Sequence, residues 1–365
     1  MTSQTRSTRE TVEILRGIWS ELLETEVRPE DDFFVLGGDS LLVGEVLIEA
    51  KRHGIELRSS AVFKHRTPAA LAASLDAAAT EAPPAAEPQP AVSALQVSAD
   101  EIWRTHGSTW APDAPRCMFP LVPEGSGEPL HVVHWGNNAD RVWEATSTWG
   151  AGRPIYAFEA PGYRGRIRPV TTIEEMADRY LVELLEHQPQ GPYFLTGFCH
   201  GAVVAAEMAR KLRAQSAEVG LLALVKPSTL EPYVSYGWGI DDIMGFRIDL
   251  LSSYFDLGGD EPLEEIHARL RARNWYDERH APEELPRLQM QWAALALSLH
   301  QYAPRPYQDP VLMVQPEVDR EATERNWLSV MPRAETHWLD FTAEWPGPIL
   351  RDPSVVELIR GKLAR

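Results

Sequence analysis

Two residues in this sequence stand where their side chains could do covalent chemistry. Cys199 sits in Gly197-Phe198-Cys199-His200-Gly201, between the apolar run Tyr193-Phe194-Leu195-Thr196 and a stretch with helical periodicity. A strand, a tight G-x-nucleophile-x-G turn and a helix together lift a nucleophile above a sheet at a helix N-terminus. The two glycines permit the strained turn and close packing of helix on strand. Cysteine stands where serine is usual. A thiolate is favoured by the helix terminus, so it reacts near neutral pH with less help from a base. Ser40 is the second residue. It closes Asp31-Asp32-Phe33-Phe34-Val35-Leu36-Gly37-Gly38-Asp39-Ser40 and opens a helical stretch. Asp39 and Ser40 there are either an ordinary helix cap or a hydroxyl at a helix N-terminus, which favours a phosphate anion.

The elements that must hold these residues fall into two patterns. Around Ser40 the sequence reads as helices. Thr11 to Leu23 places Val12, Leu15, Ile18, Trp19, Leu22 and Leu23 on one face, Ser40 to His53 repeats the pattern, and Thr67-Pro68 opens a third helix. Around Cys199 short apolar runs recur at Leu130–His134, Ile155–Phe158, Tyr193–Thr196, Leu221–Val225, Val311–Val314 and Thr336–Leu339. Amphipathic stretches such as Ile173–Glu186 and Ala202–Ala214 lie between them. That alternation predicts a mostly parallel sheet covered by helices. Between the two patterns runs EAPPAAEPQPAVSALQVSA, whose prolines favour an extended spacer. The expected organisation is a small all-α bundle over 1–80, a linker over 81–99 and an α/β domain over 100–365. A helical lid insertion is expected at about 231–300, above the carboxyl edge of the sheet.

The string from Asp31 to Leu41, with the helix order of residues 10 to 78, resembles the attachment region of peptidyl carrier domains. That resemblance implies that Ser40 carries 4′-phosphopantetheine through a phosphodiester and that a phosphopantetheinyl transferase installs it. From about Pro120 to the end the chain resembles the thioesterase domains that follow carriers in nonribosomal peptide synthetases, which have an α/β-hydrolase fold. Gly125-Ser126-Gly127, His134-Trp135-Gly136-Asn137-Asn138, Ala160-Pro161-Gly162-Tyr163 and the Cys199 turn carry this likeness. It implies an oxyanion hole built from the backbone N–H groups of Gly136 and His200. It also implies upstream synthetase modules or a free-standing adenylation enzyme as partners.

Two family positions are altered. The strand Leu221 to Val225 runs into Lys226-Pro227, where the catalytic aspartate is expected. Related hydrolases take the acid after a later strand, which offers Glu317 or Asp319, although both also suit a surface loop. The usual histidine after the last strand has no counterpart in Thr342-Ala343-Glu344-Trp345-Pro346-Gly347, so His337 is the nearest candidate base, with His200 the fallback. Trp135, Trp238 and Trp275 suit an aromatic pocket or ordinary core. Lys226, Arg164 and Arg166 suit anion binding or solvated surface, and Cys117 a structural role.

The 365 residues are 44% hydrophobic and 24% charged, enough for a sizeable core. A net charge of −18 argues against nucleic acid or anionic membrane as partner. No run reaches the length of a membrane span, the opening MTSQTRSTRETVE lacks the apolar core of a secretory signal, and no metal motif occurs. Two cysteines fit a reducing cytoplasm. The expected function is transfer of an aminoacyl or peptidyl group from the Ser40 thioester to Cys199. Release by an internal nucleophile or amine would follow, with lactam or lactone closure among the outcomes. Shuttling the group to another carrier, or a silent platform for a tailoring enzyme, are the alternatives.

Overall fold

The computed structural model describes residues 7–23, 25–33, 35–36, 43, 46–47, 49–50, 52–55, 57, 61–62, 65–80, 95, 102, 116–133, 146–163, 169–228, 239–255, 257, 261–272, 280–339 and 347–364. The chain forms two compact units. The first comprises Met1–Gln96, Met244–Arg273 and Ala281–Leu285, and the second Val97–Ile243, Asn274–His280 and Pro286–Arg365.

In the first unit, helix α1 (Thr8–Leu22) starts at Ser7, whose hydroxyl accepts the amide of Glu10 at 3.3 Å. Its apolar stripe buries Leu15, Ile18 and Trp19. Trp19 lies 4.8 Å from the Phe33 ring, and α2 (Pro68–Thr80) adds buried Leu71 and Ala72. The start of the attachment motif is tied down by Phe33 N–H to Arg66 O (2.8 Å) and by an Arg66–Asp32 ion pair (2.9 Å).

Among the described residues, the second unit is built on a seven-stranded sheet. Its strands are β1 (Met118–Val122), β2 (Leu130–Val133), β3 (Ile155–Phe158), β4 (Tyr193–Phe198), β5 (Val219–Val225), β6 (Val311–Pro316) and β7 (Ala334–Leu339). Their order is β1-β3-β2-β4-β5-β6-β7, all parallel except β1, which runs antiparallel to β3. Six of the seven correspond to runs legible in the sequence. The seventh, β1, carries Pro120 at its centre, and proline is tolerated there because β1 is an edge.

Helices α3 (Ile173–His187) and α4 (His200–Ala214) cross between strands, and most residues of α4 are buried because it lies against β4 and β5. The region expected as a lid holds α5 (Ile240–Phe255), α6 (Leu263–Ala272) and α7 (Leu285–His300). After β7 come α8 (Gly347–Arg351) and α9 (Pro353–Leu363). Val355, Ile359 and Leu363 of α9 pack with Leu130, Val132, Leu312 and Val314 on one sheet face. This is an α/β-hydrolase-type layered domain preceded by a helical bundle. Among the described residues no helix is long and apolar enough to cross a membrane.

Candidate active site at the turn after strand β4

Parallel register delivers the turn. Phe198, the last residue of β4, pairs with Val225, the last of β5, and the next amide, Cys199 N–H, still donates to Val225 O at 3.0 Å. The chain then reverses within one residue into α4. Cys199 does this at φ 52 and ψ −121, in the left-handed region that side chains avoid. The flanking glycines make the reversal possible. A Cβ on Gly197 would lie 2.3 Å from Gly201 O, so strand and helix backbones touch where any other residue would collide. Cys199 is half-buried and immediately precedes the helix, whose first amides have no intrahelical acceptors.

Among the described residues, Ser228 brings a hydroxyl to this sulfur. Its Oγ lies 3.4 Å from Cys199 Sγ, and its amide donates to Cys199 O at 3.4 Å. Ser228 stands three residues beyond β5, and two bonds fix its loop. Gln315 Nε2, buried at the end of β6, donates to Pro227 O at 3.1 Å, and the Trp327 indole donates to Ser228 O at 3.0 Å. Lys226, at the position of the missing aspartate, turns at φ 44 and exposes its side chain.

The other expected residues are placed as follows. His200 opens α4 but is 1% exposed, and its Nε2 lies 2.9 Å from Ser298 Oγ on α7. Burial lowers its pKa to about 3, so the ring is neutral and serves as packing for α7. The structure does not bring His337 to Cys199. His337 pairs with Val314 inside β7, three strands from β4, at the level of Phe198. Three strand spacings are about 14 Å, longer than two side chains and a hydrogen bond. Its Nε2 instead meets Glu335 Oε1 at 3.0 Å. Glu317 follows β6 but is exposed and held bidentate by Arg320 at 2.7 and 2.8 Å, which lowers its pKa. Arg320 in turn lies over the Trp338 ring at 4.1 Å. Asp319 precedes the short helix Arg320–Thr323. Ser40 and Gly136 lie outside the described residues, as do Arg164, Arg166, Trp135, Trp238 and Trp275.

Residues 13–75 match the family model described as a phosphopantetheine attachment site, and residues 129–267 match the thioesterase domain model. Malpinin synthetase of Mortierella alpina is 31% identical over 215 residues, which is 58% of this chain and 2% of that protein. The dimodular nonribosomal peptide synthase of Bacillus subtilis is 30% identical over 216 residues, 58% of this chain and 8% of its own. A crystal structure of a four-domain nonribosomal peptide synthetase bound to AMP and glycine aligns over 99% of this chain and 26% of that one, at 20% identity and a TM-score of 0.54. The chain is a carrier–thioesterase didomain of the nonribosomal peptide synthetase kind. It spans only a few per cent of the length of the first of these relatives.

The carrier part of the didomain is the site of covalent 4′-phosphopantetheine attachment. The described residues fit that group. Phe33 and Val43, which bracket Ser40 in the sequence, are both fully buried, and Val35 is 73% exposed. In the thioesterase part, Ser228 is the contact that sequence reasoning missed. Its only sequence signal is its place just after the strand following the elbow helix, where the register of β5 against β4 brings a loop to the nucleophile position.

Proposed function

We propose that the didomain moves an aminoacyl or peptidyl group from Ser40 to Cys199 and then to an acceptor other than water. The observation that carries this reading is Cys199 at a left-handed turn above β4 with Ser228 Oγ 3.4 Å from its sulfur. The 4′-phosphopantetheine arm supplies the acyl group as a thioester. Cys199 Sγ attacks the acyl carbonyl carbon, forming one C–S bond as the other breaks. The thiol proton leaves with the departing sulfur, so no net base is consumed. The Ser228 hydroxyl orients the sulfur and can donate to it while it is anionic. The backbone N–H groups of His200 and Gly136 stabilise the oxyanion. In the second half an amine, hydroxyl or carrier thiol attacks and its proton returns to Cys199.

This scheme explains how the site works with His337 remote and Glu317 paired to Arg320. Thiol–thioester exchange is nearly balanced in energy and needs less assistance than a serine alkoxide. A phosphopantetheinyl transferase would modify Ser40, and upstream modules or an adenylation enzyme in the cytoplasm would load it. Mass spectrometry of the loaded chain tests the reading. An acyl adduct on Cys199 that is absent from Cys199→Ala is expected, and the released mass identifies ring closure, amine capture or transfer to an added carrier. Acyl groups that stay on Ser40 in both proteins would leave a platform for a separate tailoring enzyme.

A further inference from the structure

Helix α7 carries a side chain whose hydrogen bonds are missing. Gln291 is 0% exposed, and among the described residues neither Oε1 nor Nε2 has a partner. Burying an unpaired amide is costly, and native proteins rarely leave one without a purpose.

Its place in the helix indicates that purpose. Positions 287, 291 and 298 fall on one helical face. Arg287, one turn before Gln291, donates to Gly162 O and Tyr163 O at 2.8 and 2.7 Å, in the loop after β3. Ser298, two turns after, meets His200 beside Cys199. The face therefore runs across the carboxyl edge of the sheet from β3 towards β4, and β2 is the strand between them. Gln291 stands over that interval, about 10 Å along the helix from the His200 contact. That is the span of a two- to three-residue acyl chain.

We propose that Gln291 is a specificity-determining residue that reads a peptide amide of the acyl group, its Oε1 accepting the substrate N–H and its Nε2 donating to the substrate C=O. A primary amide offers one donor–acceptor pair matched to a peptide group, and an alkyl chain offers nothing in return. The identity of the bound group rests on the acyl-transfer reading above; the binding test does not.

The test compares two unreactive pantetheine amides, one bearing an N-acetylaminoacyl group and one an alkanoyl group of equal length. Calorimetry measures their binding to the whole chain, unmodified and as Gln291→Met. The unmodified chain is expected to bind the N-acetylaminoacyl probe at least about tenfold tighter, the scale of one well-formed hydrogen bond, and Gln291→Met is expected to bind both alike. Ligand-free Gln291→Met is expected to melt at the same temperature or higher, because methionine fills the volume without burying unpaired polar atoms. Equal binding by the unmodified chain, or a preference that persists in Gln291→Met, overturns the proposal. So does a fall of several degrees in melting temperature for both Gln291→Met and Gln291→Leu, which would mean the amide is bonded within the protein. Failure to acylate Cys199 with either corresponding thioester would instead count against the acyl-transfer reading, leaving the binding comparison intact.

Discussion

Cys199 and Cys117 are the two cysteines of the chain, and their surroundings give them opposite chemistry. Cys117 is 4% exposed, accepts Arg179 Nε at 3.1 Å, and is pushed up to about 12, chiefly by burial. Native protein treated with iodoacetamide at pH 8 should take one label, on Cys199, and a second only in denaturant. Labelling of Cys117 in the native state would contradict the burial argument. Ser228→Ala should slow that labelling and Cys199 acylation by about tenfold, the scale of one hydrogen bond to a charged group, with little change in melting temperature. Gly197→Ala should act differently. A methyl 2.3 Å from Gly201 O forces helix from strand, so about 2 kcal/mol or more of stability should be lost in a urea titration. The glycines and the cysteine were legible in the sequence because the turn is local. Ser228 was not, because its partner lies 29 residues away and only its place just after β5 marks it.

At the scale of elements, the loop after β5 is held by groups from later in the chain. Gln315 and Trp327 bind Pro227 O and Ser228 O. Trp327→Phe should keep most of the packing yet lose the indole donor, costing about 1 kcal/mol and slowing Cys199 acylation through a displaced Ser228. An unchanged acylation rate would mean that the loop holds without it. The strands legible in the sequence were those whose apolar runs are continuous, as burial on both faces demands. Edge strand β1 escaped because Pro120 interrupts it. His337 looked available because it stands near the chain's end, where the family keeps its base. Its pairing with Val314 fixes it inside β7 instead.

For the whole molecule the sheet and its helices enclose ionisable groups that must stay neutral. His131 on β2 and His200 on α4 are both lowered from 6.5 to about 3, first by burial. Their folded values lie below the unfolded ones, so below about pH 6.5 the unfolded chain binds protons that the native chain refuses. Stability should therefore fall as pH drops from about 6.5 towards 3, by about 1.4 kcal/mol per pH unit for each histidine. Urea titrations across that range test the slope, and His200→Gln should remove one histidine's share.

The sequence by itself determined the helical and strand periods, the glycine-bounded elbow, the serine-bearing attachment motif and their order along the chain. Each is written in residues close together, where backbone geometry and hydrophobic spacing act locally. Tertiary structure alone decided which side chains share the space around Cys199. Strands far apart in sequence become neighbours, and their register brings Ser228 to the sulfur, seals His200 under Ser298 and leaves His337 three strands away. Proximity across a sheet depends on strand order and register, which periodicity within one strand does not encode.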